Sequence, residues 1–290
     1  MTKPTMHTLD VPGATITYDV RGALPATDGP VPLLFIGQPM DASGFGTLAS
    51  FFPDRTVVTY DPRGLGRSTR SDGDVTNTPQ QQAEDLHLLI AELGGPVDLF
   101  GSSGGAVTGL HLVSTHPEGV RTFVAHEPPL LTVLPDADRA FAAERRVQEV
   151  YHRRGWGAGM AAFIALTSVQ GEFPEAFGRE LPDPADFGLP SDDDGSRADP
   201  LLSGASNAVT AYRPDVAALT SASSEVVVAG GIESRDTMTW RTSAALADAL
   251  GQELTVFPSD HGGFLGDEFG RPGQPEAFAV RLRQVLDGEG

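Results

Sequence analysis

Along its first 127 residues the chain alternates short apolar runs with amphipathic segments, which is the pattern of strands that alternate with helices. The amphipathic segment at 78–95 also carries helix-start signals, because Thr78 can cap it and Pro79 suits its first position. The predicted strands lie at 14–20, 31–37, 55–61, 97–100 and 121–127, and a second predicted helix lies at 104–117. Short links between such elements predict a parallel sheet covered by helices on both faces.

The alternation is interrupted between residues 128 and 215. Apolar residues at helical spacing predict two helices there, at 136–155 and 156–168. The alternation then resumes, with strands predicted at 224–231 and 253–259 and helices at 240–251 and 274–288. We therefore expect an α/β core formed by 1–127 and 216–290, with a helical insertion at 128–215.

A serine among glycines follows one predicted strand and opens the next predicted helix. The pentapeptide GSSGG (101–105) fits G-x-S-x-G, a pattern that places its central residue on a tight strand-to-helix turn with the side chain above the sheet. That central residue is Ser103, and Ser102 takes the flanking position. The N-terminus of the following helix favours a developing negative charge nearby. The pattern therefore predicts Ser103 as a nucleophile.

A serine nucleophile needs a base to accept its proton, and histidine is the usual one. Among the seven histidines, His261 stands in DHGGF (260–264), directly after the last predicted strand. The carboxyl ends of parallel strands are where open sheets place their sites. Five of the other histidines lie in the N-terminal segment, in predicted helices, beside a helix-ending proline or in the insertion, and the sixth, His126, lies within the predicted strand at 121–127. His261 is therefore the predicted base.

A carboxylate should orient that imidazole and stabilise its charged form. The chain order Ser, acid, His restricts the search to the residues between Ser103 and His261. Glu233 follows a predicted strand end closely, and we predict it as the acid. Glu127, which also follows a strand, and Asp236 remain as alternatives.

Two backbone N–H groups are needed to stabilise the oxyanion of an acyl-transfer reaction. Gly104 supplies one of them, because it begins the helix after Ser103. The second is predicted to come from Gln38, in the loop that follows the strand at 31–37.

These segments together resemble the α/β-hydrolase superfamily over nearly the whole chain. The resemblance rests on IGQP (36–39), DPRGLGRS (61–68), GSSGG (101–105), GGIE (230–233) and DHGGF (260–264). It implies an eight-stranded, mostly parallel sheet flanked by helices, a helical cap inserted after strand six, and a Ser–acid–His triad that needs no cofactor. The chain departs from the family pattern before Gln38, where Ile36-Gly37 stands in place of the frequent His-Gly.

Composition excludes several other classes. Cysteine is absent, which removes disulfides, cysteine nucleophiles and thiolate metal sites. The net charge of −19 repels phosphate backbones and anionic lipid, and no run of 18 apolar residues exists to span a membrane. Because the N-terminus also lacks the apolar segment of a signal peptide, we expect a cytoplasmic protein with a small-molecule substrate, without cofactor, metal, nucleic acid or membrane partner. The oligomeric state stays open.

The sequence thus predicts a serine hydrolase that cleaves a carboxylic ester, a lactone or a related acyl bond. Met40, Phe45 and Phe264 are candidates to line the pocket of a partly apolar substrate. Two alternatives remain: a lyase, cyclase or acyltransferase that uses the same residues, and a ligand-binding protein whose triad turns over slowly.

Overall fold

A mostly parallel sheet runs through the structure, a computed structural model that describes residues 3–24 and 30–289. Among these residues the strands are β1 (Thr5–Val11), β2 (Ala14–Arg21), β3 (Leu33–Gln38), β4 (Val57–Tyr60), β5 (Thr69–Arg70), β6 (Val97–Ser103), β7 (Val120–His126), β8 (Glu225–Gly231) and β9 (Thr255–Phe257). Their order across the sheet is β1-β2-β4-β3-β6-β7-β8-β9, and the two-residue β5 pairs with β2.

The pairing is antiparallel at one edge and parallel elsewhere. β1 pairs antiparallel with β2, and β2 with β4, whereas each neighbouring pair from β4 through β3, β6, β7 and β8 to β9 is parallel. The predicted eight-stranded, mostly parallel sheet is confirmed by the eight strands of this path. β1 and β5 were not predicted as strands, because β1 is polar and mostly exposed and β5 is too short to show a pattern.

Helices cover the sheet, and the longer ones lie where the sequence predicts them. They are α1 (Gly46–Ser50), α2 (Pro79–Glu92), α3 (Gly104–Thr115), α4 (Ala137–Arg154), α5 (Trp156–Thr167), α6 (Asn207–Thr210), α7 (Val216–Ser221), α8 (Met238–Ala249) and α9 (Pro275–Leu286). The start of α2 is fixed as expected, since the Gln81 N–H donates to Thr78 Oγ1 at 3.2 Å and Pro79 takes the first position. Within the described residues no helix combines the length and the apolar character that crossing a membrane requires.

The two faces of the sheet bury separate apolar cores. Along β3, Leu34 and Ile36 pack on the side of α2, α3 and α8, whereas Leu33 and Phe35 pack on the side of α1 and α9. This division follows from the period of two in a strand, which sends successive side chains to opposite faces. Each of these fully buried side chains contributes about 1.5–3 kcal/mol through burial of apolar surface.

The insertion, residues 128–215, holds a third apolar cluster of its own. α4 and α5 pack together, and Phe173, Leu202 and Met238 complete the cluster. Met238 belongs to α8, so the insertion packs onto the sheet-flanking helices through it. Arg241, one turn further along α8, forms an ion pair with Asp136 and donates to the Gly171 carbonyl oxygen at 2.6 Å. The division of the chain at 128 and 215 into core and insertion stays a prediction.

The arginines of the segment 61–68 hold loops together. Arg63 is 1 % exposed, and its Nε donates to Asp85 on α2 at 2.7 Å. Arg67 donates from Nε to Asp61 Oδ2 at 2.7 Å and also reaches Asp19 on β2. The buried Arg63–Asp85 pair is costly to break singly, because one charge is then left without a partner, whereas Arg67 is exposed and its pairs contribute less.

Close backbone packing beneath α3 requires glycine at two of its neighbouring positions. A Cβ on Gly105 would lie 2.4 Å from the Ile36 carbonyl oxygen, and one on Gly101 would lie 2.9 Å from the Ala106 Cα. These glycines allow α3 to begin directly against β3 and β6, which places the first turn of α3 at the carboxyl edge of the sheet.

We predict that Gly105→Ala lowers the free energy of unfolding by about 1–3 kcal/mol, because the added methyl group would overlap the backbone of Ile36 in the middle of the sheet. Gly46→Ala is the matched control, since its Cβ would meet its nearest neighbour, Glu268 Oε1, at an ordinary 3.7 Å. Urea unfolding of both variants measures the difference. Equal stabilities of the two variants would contradict the tight approach at Gly105.

Candidate active site

The carboxyl edge of the sheet gathers the chemically active side chains. β3, β6 and β7 end there at Gln38, Ser103 and His126, with Glu127 following, and β8 ends at Gly231. His261 follows β9 at the same edge. Because these strands are parallel, residues far apart in sequence meet at one place.

Ser103 occupies a strained turn between β6 and α3. Its φ of 57° and ψ of −126° lie in a region that residues with a side chain rarely adopt, at a cost of about 1–3 kcal/mol. Ser102, by contrast, is 3 % exposed within the strand. The turn lies hard against β3, since a Cβ on Gly104 would be 2.7 Å from the Gln38 carbonyl oxygen. Of the two adjacent serines, Ser103 is thus the one presented by the strand-to-helix turn.

Glu127 is the carboxylate that holds His261. His261 Nδ1 lies 2.7 Å from Glu127 Oε2, and the Glu127 side chain is fully buried. The same carboxylate accepts from the Gly231 N–H at 2.9 Å and from Thr239 Oγ1 at 2.6 Å. Because a carboxylate only accepts hydrogen bonds, Nδ1 carries the proton, and Nε2 of the neutral ring is left as an acceptor.

The choice of Glu233 as the partner of His261 is therefore corrected, and so is the alternative Asp236. β8 ends at Gly231 and turns at once into a 3₁₀ helix (Ile232–Ser234), which carries Glu233 out to an exposed position where it accepts from Gln274 Nε2 at 3.0 Å. Asp236 is also exposed, at a positive φ of 65°. Neither side chain makes a hydrogen bond to His261 in the described structure, whereas Glu127, the other alternative, does.

Glycine at the end of β8 lets the turn that carries His261 approach that strand closely. β8 lies between β7, which leads into Glu127, and β9, which leads into His261. A Cβ on Gly231 would lie 2.6 Å from the Ser259 carbonyl oxygen and 2.8 Å from that of Asp260, so a side chain there would push away the turn that leads to His261. Glutamate, one methylene longer than aspartate, is suited to span this gap.

The interaction between Glu127 and His261 has a larger effect on their pKa values than burial does. Burial alone would raise the pKa of Glu127, but the hydrogen bond and positive charge of His261 lower that pKa to about 2. Burial likewise opposes protonation of His261, but the hydrogen bond and charge of Glu127, with Asp260 adding to them, hold the pKa of His261 above its usual value of 6.5. The pair is therefore an ionised carboxylate beside a base that is readily protonated.

A second histidine lies beneath this pair. His126 is fully buried among phenylalanines, and its ring centroid is 5.1 Å from that of Phe278 and 6.2 Å from that of His261. Burial lowers the pKa of His126 to about 4, so its ring is neutral at neutral pH. Neither of its nitrogens has a hydrogen-bond partner among the described residues, so His126 packs there as an aromatic ring.

Ser103 and His261 line one cavity of about 790 Å³, together with Gln38 and Gly104. The Ser103 hydroxyl makes no hydrogen bond to the His261 ring among the described residues, although both side chains line this cavity. Gln38 pairs in register with Ser103 across β3 and β6, and Gly104 opens α3. The backbones that were predicted to supply the oxyanion donors therefore lie beside Ser103.

Two of the three predicted pocket residues lie on this cavity. Met40 and Phe264 are among the residues that line it. The expectation for Phe45 is corrected, because that side chain is fully buried and stacks against Phe264 with a centroid distance of 5.4 Å. Phe45 thus supports the wall of the cavity from within the core.

The sequence at 33–281, which contains all of these residues, matches the family described as "Alpha/beta hydrolase family". The chain belongs to the alpha/beta hydrolase family. This alpha/beta hydrolase is 30 % identical to "Uncharacterized hydrolase YraK" of Bacillus subtilis (strain 168) over 288 residues, which cover 97 % of this chain and 96 % of that protein. The chain is accordingly an enzyme of the hydrolase class.

Solved structures of other proteins share the fold of this alpha/beta hydrolase. A thermophilic esterase from Thermogutta terrifontis is 21 % identical with a TM-score of 0.63, and the likeness covers 99 % of each chain. An esterase from Exiguobacterium antarcticum is 18 % identical with a TM-score of 0.66, covering 98 % of this chain and 100 % of that one. At these identities the likeness shows the fold.

A histidine cluster lies away from this cavity. Ligand atoms of His87, His116 and Glu118 lie within 4.8 Å of one another. The two rings, however, stack with an interplanar angle of 18° and a centroid distance of 3.8 Å. Since nitrogen lone pairs lie in the plane of an imidazole, rings stacked face to face do not direct two of them at one ion. The arrangement is that of a stacked pair rather than of a tetrahedral metal centre.

Sequence reasoning missed the groups that fix Glu127. Thr239 lies in the first turn of α8, and its hydroxyl reaches Glu127 only because α8 packs against the end of β7. A second contact of the same kind joins Thr242 Oγ1 to the Pro128 carbonyl oxygen at 2.6 Å. A threonine in a helix carries no sequence signal for such a role, although the adjacent glycines 230 and 231 do indicate a close approach of other groups.

We predict that the pKa of His261, followed by NMR of its ring protons, lies above 6.5 and falls below that value in Glu127→Gln. The amide removes the negative charge that favours the protonated ring, and the opposing effect of burial remains. The exposed Glu233→Gln is the matched control and should leave the titration unchanged. A shift caused by Glu233→Gln instead would contradict the observed pairing.

Proposed function

We propose that this hydrolase cleaves carboxylic esters, including cyclic ones, through a covalent acyl intermediate on Ser103. The observation that carries the proposal is the pairing of His261 with a buried carboxylate at the sheet edge that also presents Ser103. A serine on a strained turn, a histidine with a free Nε2 and an ionised orienting acid are the parts that nucleophilic acyl transfer needs.

In the first half of the reaction, Ser103 Oγ bonds to the ester carbonyl carbon as its proton passes to His261 Nε2. The carbonyl oxygen becomes an oxyanion, which the N–H groups of Gln38 and Gly104 would stabilise. Each such donor contributes about 3 kcal/mol to the transition state. The imidazolium then gives its proton to the leaving alcohol as the carbon–oxygen bond breaks.

In the second half, water replaces the alcohol. His261 Nε2 takes a proton from the water, whose oxygen bonds to the acyl carbon, and the same proton returns to Ser103 Oγ as the acid product leaves. Glu127 stays ionised throughout and stabilises the imidazolium, consistent with its lowered pKa. Ser103 is thereby regenerated, and no cofactor enters the balance.

The insertion would act as a cap over this site. Phe163 and Leu166 of α5 and Val147 of α4 line the cavity that also contains Ser103. An apolar wall opposite the nucleophile excludes water from the reacting bond and accepts the hydrocarbon part of a small to medium ester.

We predict that the wild-type protein reacts with a fluorophosphonate probe and releases product from short-chain esters, and that Ser103→Ala abolishes the labelling and lowers kcat by at least about 10⁴-fold. Mass spectrometry of the labelled protein and a chromogenic ester assay measure the two effects. Labelling without hydrolysis of any ester or lactone would favour a transferase, lyase or cyclase. Absence of labelling would favour a ligand-binding protein.

We predict that Glu127→Gln lowers kcat by about 10³- to 10⁴-fold, because the amide stabilises neither the required tautomer nor the imidazolium. Glu233→Gln removes a charge from the cavity lining but no hydrogen bond to His261, so it should lower kcat far less than Glu127→Gln does. Steady-state kinetics on one ester separates the two variants. Loss of turnover in Glu233→Gln with activity kept in Glu127→Gln would overturn the assignment of the acid.

A further inference from the structure

The cavity is lined by carboxylates and by no basic side chain of the arginine or lysine type. Among the described residues its charged lining consists of Asp41, Glu144, Glu233 and Asp260, besides His261. A carboxylate or phosphate on a substrate would therefore meet like charges, and no arginine or lysine in that lining would pair with it. The charge of the lining is a constraint on which esters can enter.

Glu144 is the carboxylate that lies inside the insertion, on the polar side of the cavity wall. It is carried by α4, and its Oε1 accepts from Thr210 Oγ1 of α6 at 2.7 Å. One turn further along α4, Gln148 Nε2 donates to Asn207 Oδ1, also of α6, at 2.5 Å. All four side chains belong to residues that line the cavity. Together Glu144, Gln148, Asn207 and Thr210 form a polar strip where α4 meets α6.

The second oxygen of Glu144 is available to a ligand. Oε2 accepts no hydrogen bond from the residues that the structure describes, whereas Thr210 fixes the position of the other oxygen. Burial raises the pKa of Glu144, against the opposing effects of the Thr210 hydrogen bond and of Arg145. A hydrogen-bond donor at this oxygen would restore part of the hydration that the carboxylate has lost.

We propose that the preferred ester carries a hydrogen-bond donor, best an ammonium group, in the part distant from its carbonyl, and that Glu144 receives that donor. The inference rests on the proposed ester hydrolysis at Ser103 and specifies its substrate class. Esters with a distal carboxylate are disfavoured by the same charges that attract an ammonium group. Esters with an uncharged chain lie between the two.

A matched substrate series tests the charge preference. The 4-nitrophenyl esters of hexanoic acid, 6-aminohexanoic acid and adipic acid differ only in the end of the chain. The corresponding esters of octanoic acid, 8-aminooctanoic acid and suberic acid place the same end groups farther from the ester carbonyl. We expect kcat/KM of the amino ester to exceed that of the adipate monoester by at least about tenfold in low salt, because a charge-assisted hydrogen bond has about that effect. Added salt should reduce the ratio. Equal rates, or faster cleavage of the adipate monoester, would overturn the proposal.

Substitution of Glu144 separates its role from the general charge of the protein. Glu144→Gln keeps the size and the acceptor for Thr210 and should lower the amino-to-adipate ratio by about tenfold. Glu149→Gln is the matched control on the same helix, where Glu149 is exposed, pairs with Arg146 and lies outside the cavity lining. Circular dichroism and thermal unfolding check that both variants fold. A ratio that Glu144→Gln leaves unchanged would contradict the role of Glu144.

Failure of ester hydrolysis itself is distinguishable from failure of this inference. If hexanoate esters show no Ser103-dependent cleavage, the proposed function is wrong. The charge preference of the cavity can then still be measured from the binding of uncleavable ligands. Calorimetry on Ser103→Ala then compares 6-aminohexanamide with adipic acid monoamide, neither of which contains an ester. Tighter binding of the amine supports a donor site at Glu144, and equal or tighter binding of the acid refutes it.

Discussion

The buried hydrogen bond between Glu127 and His261 is the interaction on which the site depends. A carboxylate removed from water is costly unless it is paired, and Glu127 meets that demand with His261, Thr239 and the Gly231 N–H at once. These partners come from the turn after β9, the start of α8 and the end of β8. The orientation of His261 thus depends on three separate elements: the parallel register of β7, β8 and β9 places two of them, and α8 packs against β8.

The fold was predictable because its signals are local. Continuous apolar runs and helix-start residues identify strands and helices one at a time, and the G-x-S-x-G pattern and the position of His261 after a strand follow from the same reading. The acid was not predictable to the same degree, since Glu127, Glu233 and Asp236 all follow strands. What separates them is the path of the backbone after each strand: a 3₁₀ turn carries Glu233 outward, while Glu127 is buried and accepts from the Gly231 N–H. The prediction that Phe45 lines the pocket was wrong for a related reason, because an aromatic residue in a loop packs as readily into the core as into a cavity.

The acidic composition has a local counterpart in the cavity. A net charge of −19 says little by itself about chemistry. In the cavity lining that the structure describes, however, carboxylates are present and arginine and lysine are absent, so the charged side chains that an entering ester meets are acidic apart from His261. Only His261 can carry a positive charge in that lining, and its charge is paired with the buried carboxylate of Glu127.

Met238 and Thr239 are neighbours on α8, yet they serve different parts of the molecule. The first packs into the apolar cluster of the insertion, and the second donates to Glu127. A single helical turn therefore connects the apolar cluster of the insertion to the carboxylate that is hydrogen-bonded to His261. Replacement of the insertion by that of another enzyme, in order to change selectivity, would also remove the packing partners of Met238. The start of α8 could then shift, and with it the hydrogen bond from Thr239 to Glu127. An exchanged insertion that keeps the residues packed against Met238 would preserve this contact.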